Sequence, residues 1–295
     1  VKPVPLYYLA LVLMGAAWGA VFPLTKIAVS TGYKPFGILA WQMLVGLLLA
    51  GILTLLRGRR LTLSPSYFIL FLGVALLGTV VPNWFSITAA KELPAGIISV
   101  IIALVPLFSM PVALMLGFEK LSVIRLFGTF CGAVAVFLLV GPDTSLPGGT
   151  KVIYVLVAAM APFLYACEGN FLTWYGARGL DALQILFGAS VIGLALAIPL
   201  ALGSGQFISP LHPWGVAEWA ILAASVINWS AYAGYVWLIG KAGPVFSAQV
   251  AYLVTLFGVL ISMVFLGESY SIYVWGAMAL MLFGLFLVQP RDKAA

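Results

Sequence analysis

Four stretches of this chain, residues 61–90, 93–118, 182–211 and 242–267, contain no Asp, Glu, Lys or Arg. Each is at least as long as the ~20 residues with which a helix crosses a hydrocarbon core. Only 7% of the 295 residues are charged and 64% are hydrophobic, against roughly 25% charged in soluble domains. So few charges cannot cover a soluble surface, and lipid is the expected solvent. Barrel strands are about ten residues long and alternate in polarity, so continuous apolar runs predict an all-α, polytopic membrane protein.

Gly, Pro and charged residues divide the chain into ten expected spans: 7–29, 35–56, 66–90, 95–117, 121–140, 152–175, 182–202, 214–239, 245–266 and 270–289. The first is expected to be a spanning helix and not a removed signal peptide, because it runs on through Trp18 and Phe22 without a cleavage pattern. A pattern occurs twice along these spans. Lys91-Glu92-Leu93-Pro94-Ala95 opens a run ending at Gly117-Phe118-Glu119, and Lys241-Ala242-Gly243-Pro244-Val245 opens another ending at Gly267-Glu268. The lysines lie 150 positions apart and the glutamates 149, while Trp18-Gly19 and Tyr165-Ala166 match at a spacing of 147. A duplicated membrane unit points to a transporter whose substrate site forms between the repeats. The expected units are residues 1–145 and 146–295.

Positive charge gives a direction. With the N-terminus inside, the inner segments carry ten Lys and Arg (Lys2, Arg57, Arg59, Arg60, Lys120, Arg125, Arg178, Lys241, Arg291, Lys293) and the outer segments four (Lys26, Lys34, Lys91, Lys151). Both termini are therefore expected in the cytoplasm, and five spans per unit make the units an inverted pair. The basic cluster Arg57-Gly58-Arg59-Arg60 ends an apolar span and reads as an orientation signal, so no nucleic-acid partner is expected. Cys131 and Cys167 sit in apolar runs and read as core.

Enzyme motifs are missing. There is no HExxH, no GxxxxGK[ST], and His212 is the one histidine, so neither catalysis, a metal nor a cofactor is expected. Candidate substrate groups are polar or aromatic residues sharing a helix face. Thr79, Asn83 and Ser86, with Trp84 beside them, lie on the third span, and Ser225, Asn228, Tyr232 and Tyr235 form a matching stripe on the eighth. Trp18 on the first span, Tyr165 on the sixth, and Gln249 with Tyr252 on the ninth complete the set. Trp and Tyr stack on an aromatic ring and still offer a hydrogen bond, which suits an amphipathic substrate. The same groups could instead serve interhelical hydrogen bonds. Glu168, a carboxylate well inside a span, is the candidate for proton coupling or for holding a substrate ammonium. Lys26, near a span end, is expected to snorkel. Glu119 and Glu268 each precede a new helix and are expected to cap its start.

Pro23, Pro82, Pro106, Pro111, Pro162 and Pro199 each remove a helical donor, as expected of flexible helices lining a cavity. With the ten spans, Trp18-Gly19, Phe22-Pro23, Lys26 and the Gly/Glu junctions, the chain resembles the drug/metabolite transporter superfamily in its EamA-type form. Pro106 running to Gly117-Phe118-Glu119, then Gly128-Thr129-Phe130-Cys131-Gly132, matches that pattern; the second half keeps Gly267-Glu268 but has Thr255 where the first has Pro106. Pro82-Asn83-Trp84, Tyr165-Ala166-Cys167-Glu168 and the aromatic-rich eighth span look most similar to YddG-type exporters of aromatic and other neutral amino acids. The resemblance implies a bacterial inner-membrane exporter working by alternating access. Its cavity would be walled by the first, third, fourth, sixth, eighth and ninth spans, with a small organic substrate and membrane lipid as partners. The rival readings are a nucleotide-sugar or sugar-phosphate exchanger of the same architecture and a membrane enzyme acting on lipid phosphates. The first would want several buried Lys or Arg and the second clustered acids or histidines.

Overall fold

A computed structural model describes residues 5–141, 146, 152–242, 244–247 and 249–288. Among them there is no strand, and ten helical rods follow in chain order: α1 Pro5–Ser30, α2 Pro35–Leu56, α3 Pro65–Ala90, α4 Ala95–Met115, α5 Val123–Val140, α6 Ile153–Tyr175, α7 Ala182–Gly203, α8 Val216–Ala242, α9 Val250–Leu266 and α10 Ile272–Val288. Rods α1 to α7 are each long and apolar enough to cross a membrane. Helix α8 has 27 residues, and α9 and α10 are apolar rods of 17 residues each. The expected unit boundary at 145/146 falls in a stretch of which Leu146 alone is described. Lys2, Arg291, Lys293, Lys151 and both termini lie outside the described residues.

The outer surface is apolar, as lipid requires. Leu9 and Leu13 on α1, Leu48 and Ile52 on α2, Phe127, Phe130 and Phe137 on α5, and Phe283 and Phe286 on α10 are all exposed. Inside, Leu39, Ile97, Ile101, Leu107 and Leu139 are fully buried in one shared core. Lipid tails are as apolar as these side chains, so close packing and interhelical hydrogen bonds hold the bundle together more than hydrophobic burial does.

Helix packing runs mainly between the halves of the chain. Helix α1 lies against α8 and α9, while α6 lies against α3 and α4. Helices α2 and α7, α5 and α10, and α4 and α9 pair across the halves. Replacing each helix by the one five places along the chain leaves these pairings unchanged.

Local chemistry sets the helix ends and breaks. Asp181 starts α7 with a capping box: its carboxylate accepts from the Gln184 backbone N–H at 2.9 Å, and its own N–H donates to the Gln184 side chain at 3.0 Å. Such a cap is worth about 1 kcal/mol. Helix α3 contains a π-helical turn at Ala75–Val80, just before Pro82. Proline has no N–H to return to the carbonyl four residues back, here Gly78, and its ring crowds that carbonyl, so the turn widens. Pro106 acts likewise on Ile102. Helix α4 is two segments, Ala95–Ile102 and Leu104–Met115, joined at Ala103. The ninth rod starts later than the expected 245, with a separate turn at Pro244–Ser247 before α9.

Candidate functional site

Two of the side-chain hydrogen bonds that cross between the halves of the chain join aromatic residues to asparagines. Trp18 on α1 donates its indole N–H to the Asn228 side-chain oxygen on α8 at 3.0 Å. Tyr165 on α6 donates its hydroxyl to the Asn83 side-chain oxygen on α3 at 3.2 Å. Trp18 and Tyr165 are the pair that recurs at a spacing of 147, so each half offers an aromatic donor to an asparagine of the other. Tyr235 packs edge-on against Trp18, with ring centroids 5.5 Å apart.

Glu168 lies one helical turn beyond Tyr165 on α6. Its carboxylate presses on Gly78 in the widened turn of α3: a Cβ there would come within 2.3 Å of the carboxylate. Any larger residue at 78 would require the Glu168 carboxylate to shift. No ion pair involving Glu168 exists among the described residues.

The other expected site residues are placed as follows. Thr79 is buried and donates its hydroxyl back to the Ala75 carbonyl at 2.9 Å. Trp84 stacks on Phe36 at 6.3 Å and meets Phe85 edge-on at 5.0 Å. Ser86, two residues further along α3, is half-buried. Tyr232 packs on the cluster around Trp229. Gln249 is exposed at the start of α9, while the Tyr252 hydroxyl is buried with no hydrogen-bond partner among the described residues. The structure thus brings together Trp18 with Asn228, Tyr165 with Asn83, and Glu168 with Gly78. Gly78 was not among the expected site residues. Its role rests on a contact 90 positions away in sequence, which no local pattern announces.

One end of the bundle, assigned to the outside by the charge count, is tied across many elements. The Lys26 ammonium donates to the carbonyls of Ala90, Lys91 and Leu93 at 2.8, 3.2 and 3.0 Å. It does not simply snorkel, since it caps the C-terminal end of α3. The Glu268 carboxylate accepts from the backbone N–H groups of Ala95 and Gly96 at 2.8 and 3.1 Å. Glu268 was expected to cap the helix that follows it, and instead it caps α4, whose partial positive charge and unpaired donors face it. The left-handed turn at Gly267 (φ 65°) redirects the chain there. Tyr270, just past this turn, donates its hydroxyl to Glu268 at 2.5 Å.

A second knot joins the α1–α2 loop to the start of α8. Tyr33 and His212 both bond the Glu218 carboxylate, the latter at 2.9 Å. The Glu218 contact pushes the Tyr33 phenol up to about 12 and the His212 imidazole above its usual value. Phe36 and Trp41 of α2 donate to Gln206 and Ile208 at 3.1 Å each. At the opposite end the repeated Glu119 is half open to solvent, with its side chain 43% exposed, and pairs among the described residues with Arg125 at 2.8 Å. No group of three or more His, Cys, Asp or Glu that could hold a metal occurs among the described residues.

A bundle of apolar rods, with polar groups meeting between its halves, is a polytopic membrane transporter. The pattern of the EamA-like transporter family matches residues 5–141 and again 152–289, and the chain belongs to that family, within the drug/metabolite transporter superfamily. It is similar to the uncharacterized inner membrane transporter YedA of Escherichia coli K12, at 26% identity over 281 residues, 92% of this chain and 90% of the relative. The YedA proteins of strains CFT073 and O157:H7 match equally. A protein of known crystal structure superposes with a TM-score of 0.62 at 20% identity, over 94% of this chain and 95% of that one, a likeness of fold alone.

Proposed function

We propose that the protein is a secondary exporter of aromatic and other neutral amino acids, or similar amphipathic metabolites, across the bacterial inner membrane. It would work by alternating access of two inverted five-helix units, 1–145 and 146–295, with both termini in the cytoplasm. The observation that carries this reading is the crossed pair of bonds, Trp18 to Asn228 and Tyr165 to Asn83. These put aromatic rings and amides from both halves along the seam that rocking halves would open and close. The name of the YedA relatives supports the inner membrane. The ties at the Lys26–Glu268 end fit a state closed toward the outside.

The substrate class follows from what the seam lacks. A sugar phosphate would want basic groups, and Lys26 is committed to three carbonyls. Glu168, set against Gly78 and without an ion pair among the described residues, would exchange a proton as access alternates. Counterflow in proteoliposomes tests the reading, with labelled Phe, Thr, a sugar phosphate and a cationic drug. Exchange of Phe and Thr is expected; exchange of the sugar phosphate alone would replace this function with the exchanger. Glu168→Gln should keep counterflow and lose uptake driven by a proton gradient. Single cysteines at Lys34 and Ser64 test the topology in whole cells: an impermeant thiol reagent added outside should reach the first and not the second.

A further inference from the structure

Helices α2 and α7 occupy equivalent places at a spacing of 147, and they end in the same turn. At the end of α2 the backbone N–H groups of Arg57, Gly58 and Arg59 donate to the carbonyls of Leu53, Leu55 and Thr54 at 3.2, 2.9 and 3.1 Å, with Gly58 left-handed at φ 69°. At the end of α7 those of Ser204, Gly205 and Gln206 donate to Leu200, Leu202 and Ala201 at 3.1, 3.1 and 2.7 Å, with Gly205 at φ 65°. The bonds match one for one. The side chains do not, since Arg57-Gly58-Arg59-Arg60 stands against Ser204-Gly205-Gln206-Phe207. The second copy closes without a charge, so the turn itself has no need of three arginines.

Arg57, Arg59 and Arg60 are all exposed, and none of their guanidinium groups has an ion pair or hydrogen bond among the described residues. The segments that meet there, 35–56, 61–90 and 182–203, contain no Asp or Glu, and Asp181 ahead of α7 is engaged by the Gln184 N–H at 2.9 Å. The turn is nevertheless anchored, because the Arg60 carbonyl accepts from the buried Gln184 side chain at 2.9 Å. It joins two spanning helices, α2 and α3, and so lies at a membrane–water boundary. Leu55 and Leu56 before it and Leu61 and Leu63 after it are exposed. Uncompensated positive charge thus stands at the head of a lipid-facing apolar surface.

We propose that the Arg57–Arg60 turn is a docking surface for anionic phospholipid: the guanidinium groups bond its phosphate, and the leucines on either side meet its acyl chains. A guanidinium presents paired N–H donors that match phosphate oxygens, and it is weakly hydrated for a cation, which suits the edge of a bilayer. Zwitterionic lipid carries a phosphate too, but its own ammonium offsets the attraction of three clustered positive charges. An anionic head group has no such offset. A free anion would meet the arginines and gain nothing from the leucines. An orientation signal acts while helices insert, whereas this contact belongs to the folded protein and holds whatever cargo it carries.

The test is the association of spin-labelled lipid with the full chain in phosphatidylcholine bilayers, comparing labelled phosphatidylglycerol with labelled phosphatidylcholine. A preference for phosphatidylglycerol of roughly 3-fold or more is expected near ~0.05 M salt, shrinking toward ~0.5 M. Replacing Arg57, Arg59 and Arg60 together by Gln should remove most of that preference. If the triple variant does not fold, Arg59→Gln and Arg60→Gln singly carry the test, each lowering the preference. Lys34→Gln, an exposed cation at the opposite end of α2, should leave it unchanged. Inorganic phosphate should displace labelled phosphatidylglycerol no better than sodium chloride at equal ionic strength. Displacement beyond that would make this a free-anion site and overturn the proposal. So would the absence of any preference in the unaltered protein, a preference that survives in the arginine variants, or a loss from Lys34→Gln as large as that from Arg59→Gln.

Discussion

Glu268 and Glu119 stand at equivalent places in the two halves, each after a glycine-bearing helix end and 149 positions apart, yet they have opposite fates. Glu268 is drawn into the bundle, where it accepts two backbone N–H groups of α4 and the Tyr270 hydroxyl. Glu119 stays at the surface, bonded to an arginine six residues away. Lys26 sharpens the contrast, because the residue at its equivalent place, 147 positions on, is Thr173, whose hydroxyl only returns to its own helix at Gly169. A repeated local signal does not impose a repeated contact. Under the proposed alternating access, one end would be held shut while the other is free, and the two glutamates differ in that sense.

The largest expected effect separates the glutamates directly. Glu268→Ala removes two charge-assisted bonds, each worth about 1.5–3 kcal/mol, and strands two donors at a helix start. At roughly 2–4 °C per kcal/mol its melting temperature in detergent should fall by about 5 °C or more. Glu119→Ala should cost under about 2 °C, since exposed ion pairs contribute about 0–1 kcal/mol. Equal shifts would dissolve the contrast.

Lys26 comes next. Lys26→Met keeps the apolar stem but loses three carbonyl contacts, and a drop of roughly half that of Glu268→Ala is expected. Thr173→Ala should leave the melting temperature unchanged to about 1 °C, as surface substitutions commonly do. A Thr173→Ala loss matching that of Lys26→Met would place an unseen tie at the opposite end.

Smaller still is the coupling between Glu119 and Arg125. A double-mutant cycle should give less than about 1 kcal/mol, falling further as salt is raised. A larger, salt-insensitive value would mean that Glu119 is held as firmly as Glu268.

The least effect is expected at His212, on the surface of the tied end. Glu218 raises its pKa, so the stabilisation it adds is fully present below about pH 6.5, the ordinary histidine value, and is lost as pH rises through the raised value. Melting curves of the native protein and His212→Gln should therefore converge on going from pH 6 to pH 9. A gap that widens with pH would reverse the sign and remove the histidine from the knot.

Much of the fold was legible because helices in lipid are announced by local composition. The expected spans 35–56 and 95–117 compare with α2 Pro35–Leu56 and α4 Ala95–Met115. What escaped was the interior of the rods. The widened turn at Ala75–Val80 adds a residue to α3, which turns whatever precedes it by about 100° relative to Asn83 and Ser86. Thr79, counted on the same face, is buried and spent on Ala75. Within the candidate site, the residue types were visible from sequence, as were the matched places of Trp18 and Tyr165. Their partners were not, because Asn228 lies 210 positions from Trp18 and Asn83 lies 82 from Tyr165.

By itself the sequence determined the solvent, the helical class, the approximate rods and the repetition, since each depends on residues adjacent in the chain or on recurrence along it. Only the tertiary structure decided that Glu268 reaches back to α4, that Lys26 closes the end of α3, that Gly78 makes room for Glu168, and that each aromatic donor serves the opposite half. Those outcomes depend on how helices far apart in sequence are rotated and set against one another. Hydrogen bonds tolerate only a few tenths of an ångström in that placement, and hydrophobic periodicity does not specify it so finely.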